Sequence, residues 1–494
     1  MVDRLMQLEA PSHALSGLPM PMITLDDCLR TTSIESAALY LTSKIAFNQR
    51  RGYVTSYDGG TFWDFGASYE RNIRDIYRSI RNRKYVFDPC LKLKRRVKLN
   101  KVRDIYISTW RDRIVDRWLN DSLNKLLNEW FSRHSYAYRI EDLGLDSCQD
   151  HVAKAISPNS FIAKRDISSY FYSIDHDILL SKIAEIVKPD DYIFDMIRQR
   201  IKFRYMEDEV EHVATIGIPF GTSIACTLAN VNLTGVDKVI SILPVKYFRY
   251  ADDFLIVSNS PDDTLYAASI LDKMVSDLKL SMKPSHSVNI SFKEHESFTQ
   301  VTKFKYLGLE FCHNGVTRLA VEKQRKIINF FIRAIEYVNG KIHRAESIND
   351  KLKIAVGAVN EVMTNRIRSV AIIDYYVKHI DDEAQMKMMD RMVAELIIGT
   401  VLDKKFRNRD FSTIPFGKLR DMGLTSILHR HRLYAHGHLK SNFMSMHNEL
   451  VTNRYVSMLS RRKERINHIR MSRKIREANN RVQPSKPLHT LPSC

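Results

Sequence analysis

Two short apolar runs, Val245-Lys246-Tyr247-Phe248 and Phe254-Leu255-Ile256-Val257, flank the tetrapeptide Tyr250-Ala251-Asp252-Asp253. Runs this short, rich in aromatic and β-branched residues, read as two strands meeting at a tight turn. Asp suits a turn, but two adjacent carboxylates at its tip repel each other unless a cation holds them. A second carboxylate, Asp166, ends another apolar-leaning run, Phe161-Ile162-Ala163-Lys164-Arg165-Asp166, and an aromatic, Phe171, follows it. Between these two motifs lies a glycine-bounded turn, Gly217-Ile218-Pro219-Phe220-Gly221-Thr222-Ser223. It runs into a helix that is apolar and small on one face, through Ala225, Leu228, Ala229 and Leu233. After them comes Phe304-Lys305-Tyr306-Leu307-Gly308-Leu309-Glu310-Phe311.

The charge balance narrows the partner. With 76 Lys+Arg against 57 Asp+Glu, the 494-residue chain carries a formal charge of +19, which suits a polyanion, first of all a nucleic acid. The length predicts two or three domains. The 6 cysteines are scattered and form no CxxC pair, so neither a disulfide framework nor a zinc site is expected, in keeping with a reducing cytoplasmic location. No run of about 18 apolar residues occurs, which argues against a membrane partner.

Taken in order, the chain predicts an irregular arm and one helix around residues 33–50. From Tyr69 a basic amphipathic helix follows, with Arg71, Arg74, Arg78 and Arg81 set against Ile73, Ile76 and Ile80. A basic hairpin is expected around Asn100, with Lys92 to Lys98 and Val102 to Ile107 as its strands. Residues 173–177 supply the N-cap of a helix over 178–187, and His176 is assigned to that helix start. Residues 203–215 read as a polar excursion and residues 262–280 as an amphipathic helix. Beyond Arg318 the spacing becomes helical, with Ile327, Ile328, Phe331 and Ile335 on one face. A basic tail opens at Arg461, Arg462 and Lys463. Strand, helices, hairpin, helix and strand make an α+β core.

The ordered blocks at Asp166, Gly217–Ser223, Tyr250–Asp253 and Phe304–Phe311 resemble four successive motifs of reverse transcriptases, and the resemblance covers residues 70–320 or so. It implies a right-hand polymerase: an N-terminal extension over 1–68, fingers over 69–150, a palm with an antiparallel sheet over 151–318, a helical thumb over 319–400 and a basic helical C-terminal extension over 401–494. The implied activity is RNA-directed DNA synthesis from dNTPs. Asp166, Asp252 and Asp253, with the backbone oxygen of Ile167, would hold two Mg²⁺ ions, Mn²⁺ being the alternative. Arg96 and Arg103 match the fingers positions that grip the triphosphate, and Phe171 matches the bulky gate that excludes a 2′-hydroxyl. Tyr250 and the basic tail at Arg461, Arg462 and Lys463 would meet nucleic acid.

Two departures stand out. Phe220, beside Gly221, replaces a Gln and cannot make its amide contacts. His286 occupies the place of a Lys thought to protonate the leaving pyrophosphate. Together with the helical extension, these departures look most like bacterial defence-associated and abortive-infection reverse transcriptases. That subgroup implies a dedicated non-coding RNA as template, a DNA product and an antiphage role, with self-association into a homo-oligomer left open. Retron-type or group II intron-derived enzymes are the alternative. A catalytically idle RNA-binding scaffold is the alternative from another class.

Overall fold

The computed structural model describes residues 22–47, 49–98, 101–139, 143–364 and 379–436. The described part of the N-terminal region is helical. A helix Leu25–Thr31 is closed by a capping box between Thr24 and Asp27, and a second helix, Ile34–Phe47, follows. Ile23 bridges to Val187, and the Leu25 amide donates to Asp191 Oδ1 at 2.9 Å. The helix Tyr69–Arg81 buries Ile73, Ile76 and Ile80 and leaves its arginines in solvent, as its 3–4 spacing predicts.

The basic hairpin consists of strands β1 (Cys90–Lys98) and β2 (Lys101–Ile107), with Asn100 outside the described residues. The stretch read as a polar excursion is a second hairpin, β4 (Arg204–Glu207) and β5 (Val210–Val213). β4 joins β1 in parallel, giving a four-stranded sheet in the order β2-β1-β4-β5.

The central sheet has five strands. These are β3 (Phe161–Asp166), β6 (Lys246–Tyr250), β7 (Asp253–Ser258), β8 (Val288–Ser291) and β9 (Thr299–Gln300), in the order β6-β7-β3-β8-β9. All its pairings are antiparallel except β8 with β9. Alternation along the strands feeds two cores. Ala163, Tyr247, Phe254 and Ile256 join the core shared with the helices Ile224–Ile240 and Pro261–Asp277. Ile162, Phe248, Leu255, Val257 and Ile290 face the other core. Covering both faces explains why Phe254 to Val257 is unbroken apolar sequence rather than alternating.

The second core is completed by a three-stranded sheet, β10 (Lys303–Tyr306), β11 (Leu309–Cys312) and β12 (Thr317–Leu319). The helices Val321–Arg344, Ile348–Thr364 and Glu383–Val401 pack there too. Ile327, Ile328, Phe331 and Ile335 are all buried in it, as their spacing predicts. The fold is thus mixed α and β, with an antiparallel central sheet and a helical C-terminal region.

Candidate active site

Antiparallel pairing of β3 with β7 sets Asp166 directly across from Asp253. The hairpin between β6 and β7 turns through Ala251 and Asp252, with Ala251 at a left-handed φ of 60°. The Ile167 amide donates to the Asp252 carbonyl at 3.3 Å. Three carboxylates therefore gather at one end of the sheet. They line a cavity of about 470 Å³ together with Ile167, Arg103, Phe171 and Phe220, a size that suits a small ligand.

The electrostatics follow from this crowding. Burial first, then the negative charge of Asp166, pushes the Asp252 carboxyl up to about 6. Burial and Asp166 also raise Asp253, against the opposing charges of Lys164 and Lys283. Lys164 Nζ stands 4.0 Å from Asp253 Oδ1. The donors are all hard oxygens, which fit Mg²⁺ or Mn²⁺ rather than softer ions. Among the described residues, no three His, Cys, Asp or Glu side chains form a metal-holding group by themselves. Mg²⁺ sites of one or two carboxylates completed by water and substrate phosphates need no such cage. Asp166 and Asp252 with the Ile167 carbonyl are the residues that would hold the ions.

A proton and a cation compete for Asp252, so Mn²⁺ affinity is expected to weaken as pH falls below about 6. Without a divalent cation the sign reverses. A carboxyl whose value is raised by folding contributes stability at low pH that is lost as pH rises through about 6. The metal-free melting temperature should therefore fall between pH 5 and 7.5, and saturating Mn²⁺ should raise it most at the upper end. Asp112, also pushed up to about 6 by burial, titrates in the same window. The comparison is therefore made against Asp252→Asn, in which the Mn²⁺ effect should vanish.

The remaining walls come from the turn after Phe171. Gly217 (φ 79°) and Gly221 (φ 118°) sit so close to neighbouring backbone that a Cβ would lie 2.9 Å from Tyr172 Cα or the Tyr106 carbonyl, respectively. The Ile218 amide donates to the Phe171 carbonyl at 2.8 Å, and the Tyr106 amide to the Phe220 carbonyl at 2.9 Å. This turn thus ties β2 to the Asp166 region. The N-cap comes from the 173–177 segment as expected: Asp175 caps the helix that begins at His176. The His176 imidazole meets the Gly217 carbonyl at 2.6 Å, buttressing the same turn.

Phe171 is 8% exposed. Its ring meets Phe220 edge-on at 5.1 Å and Tyr138 at 6.4 Å, so it is both core and cavity wall. The Phe220 ring forms part of the cavity wall, and Arg103 lies over it at 5.8 Å.

The structure does not gather every residue singled out in the sequence. Arg96 pairs with Val102 and is exposed; by strand alternation it faces away from Arg103, and it does not line the cavity. Arg95 is the residue opposite Arg103. Tyr250 is half-buried and packs against the second core. Arg461, Arg462 and Lys463 lie outside the described residues.

His286 is exposed on the short turn Pro284–His286, its imidazole against Ser285, and it is absent from the cavity wall. Lys283 is in that wall, with Nζ 3.6 Å from Asp166 Oδ2. The physical reason is a bridge between Ile167 and Met282, extended by the Lys283 amide donating to the Asp166 carbonyl at 2.7 Å. That pairing delivers Lys283, and by residue 286 the chain has turned outward.

Residues 92–311 match the family model described as reverse transcriptase (RNA-dependent DNA polymerase). Among curated proteins, the group II intron-encoded protein LtrA of Lactococcus lactis subsp. cremoris is 26% identical over 186 residues, 36% of this chain and 30% of that one. The putative COX1/OXI3 intron 2 protein of Saccharomyces cerevisiae is 25% identical over 174 residues, covering 34% of this chain and 19% of its own length. Its intron 1 counterpart is 21% identical over 138 residues, 28% and 16% respectively. The chain therefore spans less than a third of the length of the curated relatives it matches. A solved telomerase from Candida albicans aligns over 74% of this chain and 71% of its own, at 10% identity and a TM-score of 0.42. Among the described residues, no helix is long and apolar enough to cross a membrane. Residues 92–311, which carry the three carboxylates, Phe171 and the glycine turn, match that reverse transcriptase model and are distantly similar to the protein encoded by a group II intron.

Proposed function

We propose that the chain is an RNA-directed DNA polymerase. The observation that carries this reading is the convergence of Asp166, Asp252 and Asp253 at one end of a cavity whose other walls are Arg103 and the Phe171–Phe220 pair. A pair of bound divalent cations would supply activation of a 3′-hydroxyl and neutralisation of the charge developing on the transferred phosphate. Asp166 and Asp252 would hold and orient them, with Asp253 beside the pair. Arg95 and Arg103, like charges directly opposite on adjacent strands, repel each other unless a polyanion lies between or above them. A triphosphate answers that requirement, and a guanidinium fork matches its oxygens. Phe171 closes the space under the sugar. In this reading residues 69–150, with the basic hairpin, form the fingers, residues 151–318 the palm and residues 319–400 the thumb.

The direct test is dNTP incorporation by the purified protein on a primed RNA template. Absence of any incorporation would overturn the reading. In the same assay Phe171→Ala should raise use of rNTP relative to dNTP by ten- to a hundred-fold, the range a steric contact in an apolar pocket supports (~10–200-fold). An unchanged ratio would assign Phe171 to packing alone.

The finer assignment, a defence enzyme copying a dedicated non-coding RNA, is supported by the departure at Phe220 and by the net charge of +19. The similarity to a group II intron-encoded protein favours intron descent as the second reading. Sequencing the nucleic acid that copurifies with the protein separates them. A single recurrent structured RNA supports the first, and intron RNA the second.

A further inference from the structure

The five donor hydrogens of one buried guanidinium are all used beneath the catalytic turn. Arg249, wholly buried, lies two residues before Ala251 on β6. Its Nε and Nη2 donate to the two carboxylate oxygens of buried Asp237 at 2.6 and 2.5 Å. Nη2 also donates to Ser135 Oγ at 2.7 Å. Nη1 donates to Asn230 Oδ1 at 3.1 Å and to the Ala251 carbonyl at 2.9 Å. Tyr247 donates its hydroxyl to Asp237 Oδ1 at 2.7 Å, fixing that carboxylate further.

The Ala251 contact matters because of where it falls. Ala251 holds φ at 60°, a conformation that costs any residue with a Cβ and persists only when its surroundings impose it. The peptide before Asp252 is pinned by Arg249 through the Ala251 carbonyl. The peptide after it is pinned by the Ile167 amide, which donates to the Asp252 carbonyl at 3.3 Å. With both flanking planes held, the direction of the Asp252 side chain is set by the backbone.

We propose that the Arg249–Asp237 pair is a positioning device: Asp237 locks the guanidinium, and the guanidinium imposes the left-handed turn that presents Asp252 to cation and substrate. The proposal rests on the polymerase reading above. A core ion pair with no such role is the competing account, and buried pairs can often be exchanged for apolar residues without loss of stability.

Arg249→Lys is the first test. It keeps a positive charge against Asp237, but one ammonium cannot span Asp237, Ser135, Asn230 and the Ala251 carbonyl. The protein should remain folded, with a cooperative melt. Its Kd for Mn²⁺ without nucleic acid, read from the EPR signal of free ion, should rise about tenfold. Its single-turnover rate should fall about a hundred-fold with KM for dNTP within about threefold, because a misplaced catalytic group loses rate rather than ground-state binding. Adding Ala251→Gly, which removes the Cβ penalty at φ 60°, should recover part of the rate and the Mn²⁺ affinity. A core role predicts no such rescue.

The second test is the triple variant Tyr247→Phe, Asp237→Leu, Arg249→Met, which removes the buried charges together. It should melt near the wild-type temperature yet show the same losses. Wild-type Mn²⁺ affinity and rate in either folded variant would overturn the proposal, as would lack of rescue by Ala251→Gly. A wild-type protein that binds Mn²⁺ but incorporates no nucleotide would instead overturn the polymerase reading. In that case the Mn²⁺ affinities of the variants still decide the positioning role.

Discussion

Exchanging both turn carboxylates, Asp252→Asn with Asp253→Asn, should abolish nucleotide incorporation while leaving the protein folded. The amides keep size and shape but supply no negative charge to a hard cation, which prefers carboxylates. Charge stabilisation by bound metal is worth several kcal/mol in the transition state, so the loss should exceed about 10³-fold. Stability should move the other way. Burial and mutual repulsion already disfavour the charged forms of both groups, so the metal-free double variant should melt at or above the wild-type temperature at pH 7.5. Single-turnover incorporation and thermal melting, measured on one preparation, check both halves. Undiminished incorporation by the folded variant would remove these carboxylates from the chemistry.

The second large effect concerns Lys283. Its ammonium stands at the edge of the carboxylate cluster, 3.6 Å from Asp166 Oδ2, inside the cavity wall. A pyrophosphate leaving from that cavity gains negative charge, and a positioned proton donor accelerates such a departure by about 10²–10⁴-fold. Lys283→Gln should therefore slow the single-turnover rate within that range, whereas His286→Gln should leave it unchanged across pH 6–9. Lys283→Arg separates charge from proton transfer. The guanidinium keeps the positive charge but holds its proton too tightly to give it up. A rate near that of Lys283→Gln assigns Lys283 as a proton donor, and a rate near wild type assigns it to charge balance with Asp166. Equal effects at Lys283 and His286 would restore the histidine to consideration.

These two cases also mark what can be read from sequence. The Asp252–Asp253 hairpin is legible because everything that makes it is local: two short apolar runs, a turn, and a period that the burial of both faces converts into unbroken hydrophobicity. The Asp166 strand and the helix bearing Ile327 and Phe331 are legible for the same reason. Lys283 is not. Its arrival depends on the register of a bridge between Ile167 and Met282, more than a hundred residues apart in sequence, and a shift of three positions exchanges one candidate for another.

The hairpin of β4 and β5 is not legible in the sequence for a different reason. Its turn residues, Asp208 and Glu209, both hold positive φ, at 50° and 64°. A turn of this kind is normally announced by Asn-Gly or Asp-Gly, and here no glycine does so. The helix Leu25–Thr31 carries a readable sign, Thr24 followed three residues later by Asp27, but Pro19 and Pro21 just before it weigh against helix.

That first helix has a bearing on how the molecule is made. Its anchor, the Leu25 amide on Asp191, joins residues 166 positions apart, and Ile23 likewise waits for Val187. Synthesis proceeds at about 5–20 residues per second, so roughly 8–33 s separate the emergence of the two halves. Throughout that interval Ile23 and Leu25, both buried in the finished protein, lack the connection at 186–191 that holds them. The ribosome thus releases Ile23 and Leu25 well before that part of their site exists, and until then only the helix Trp110–Leu126 is there to receive the first helix.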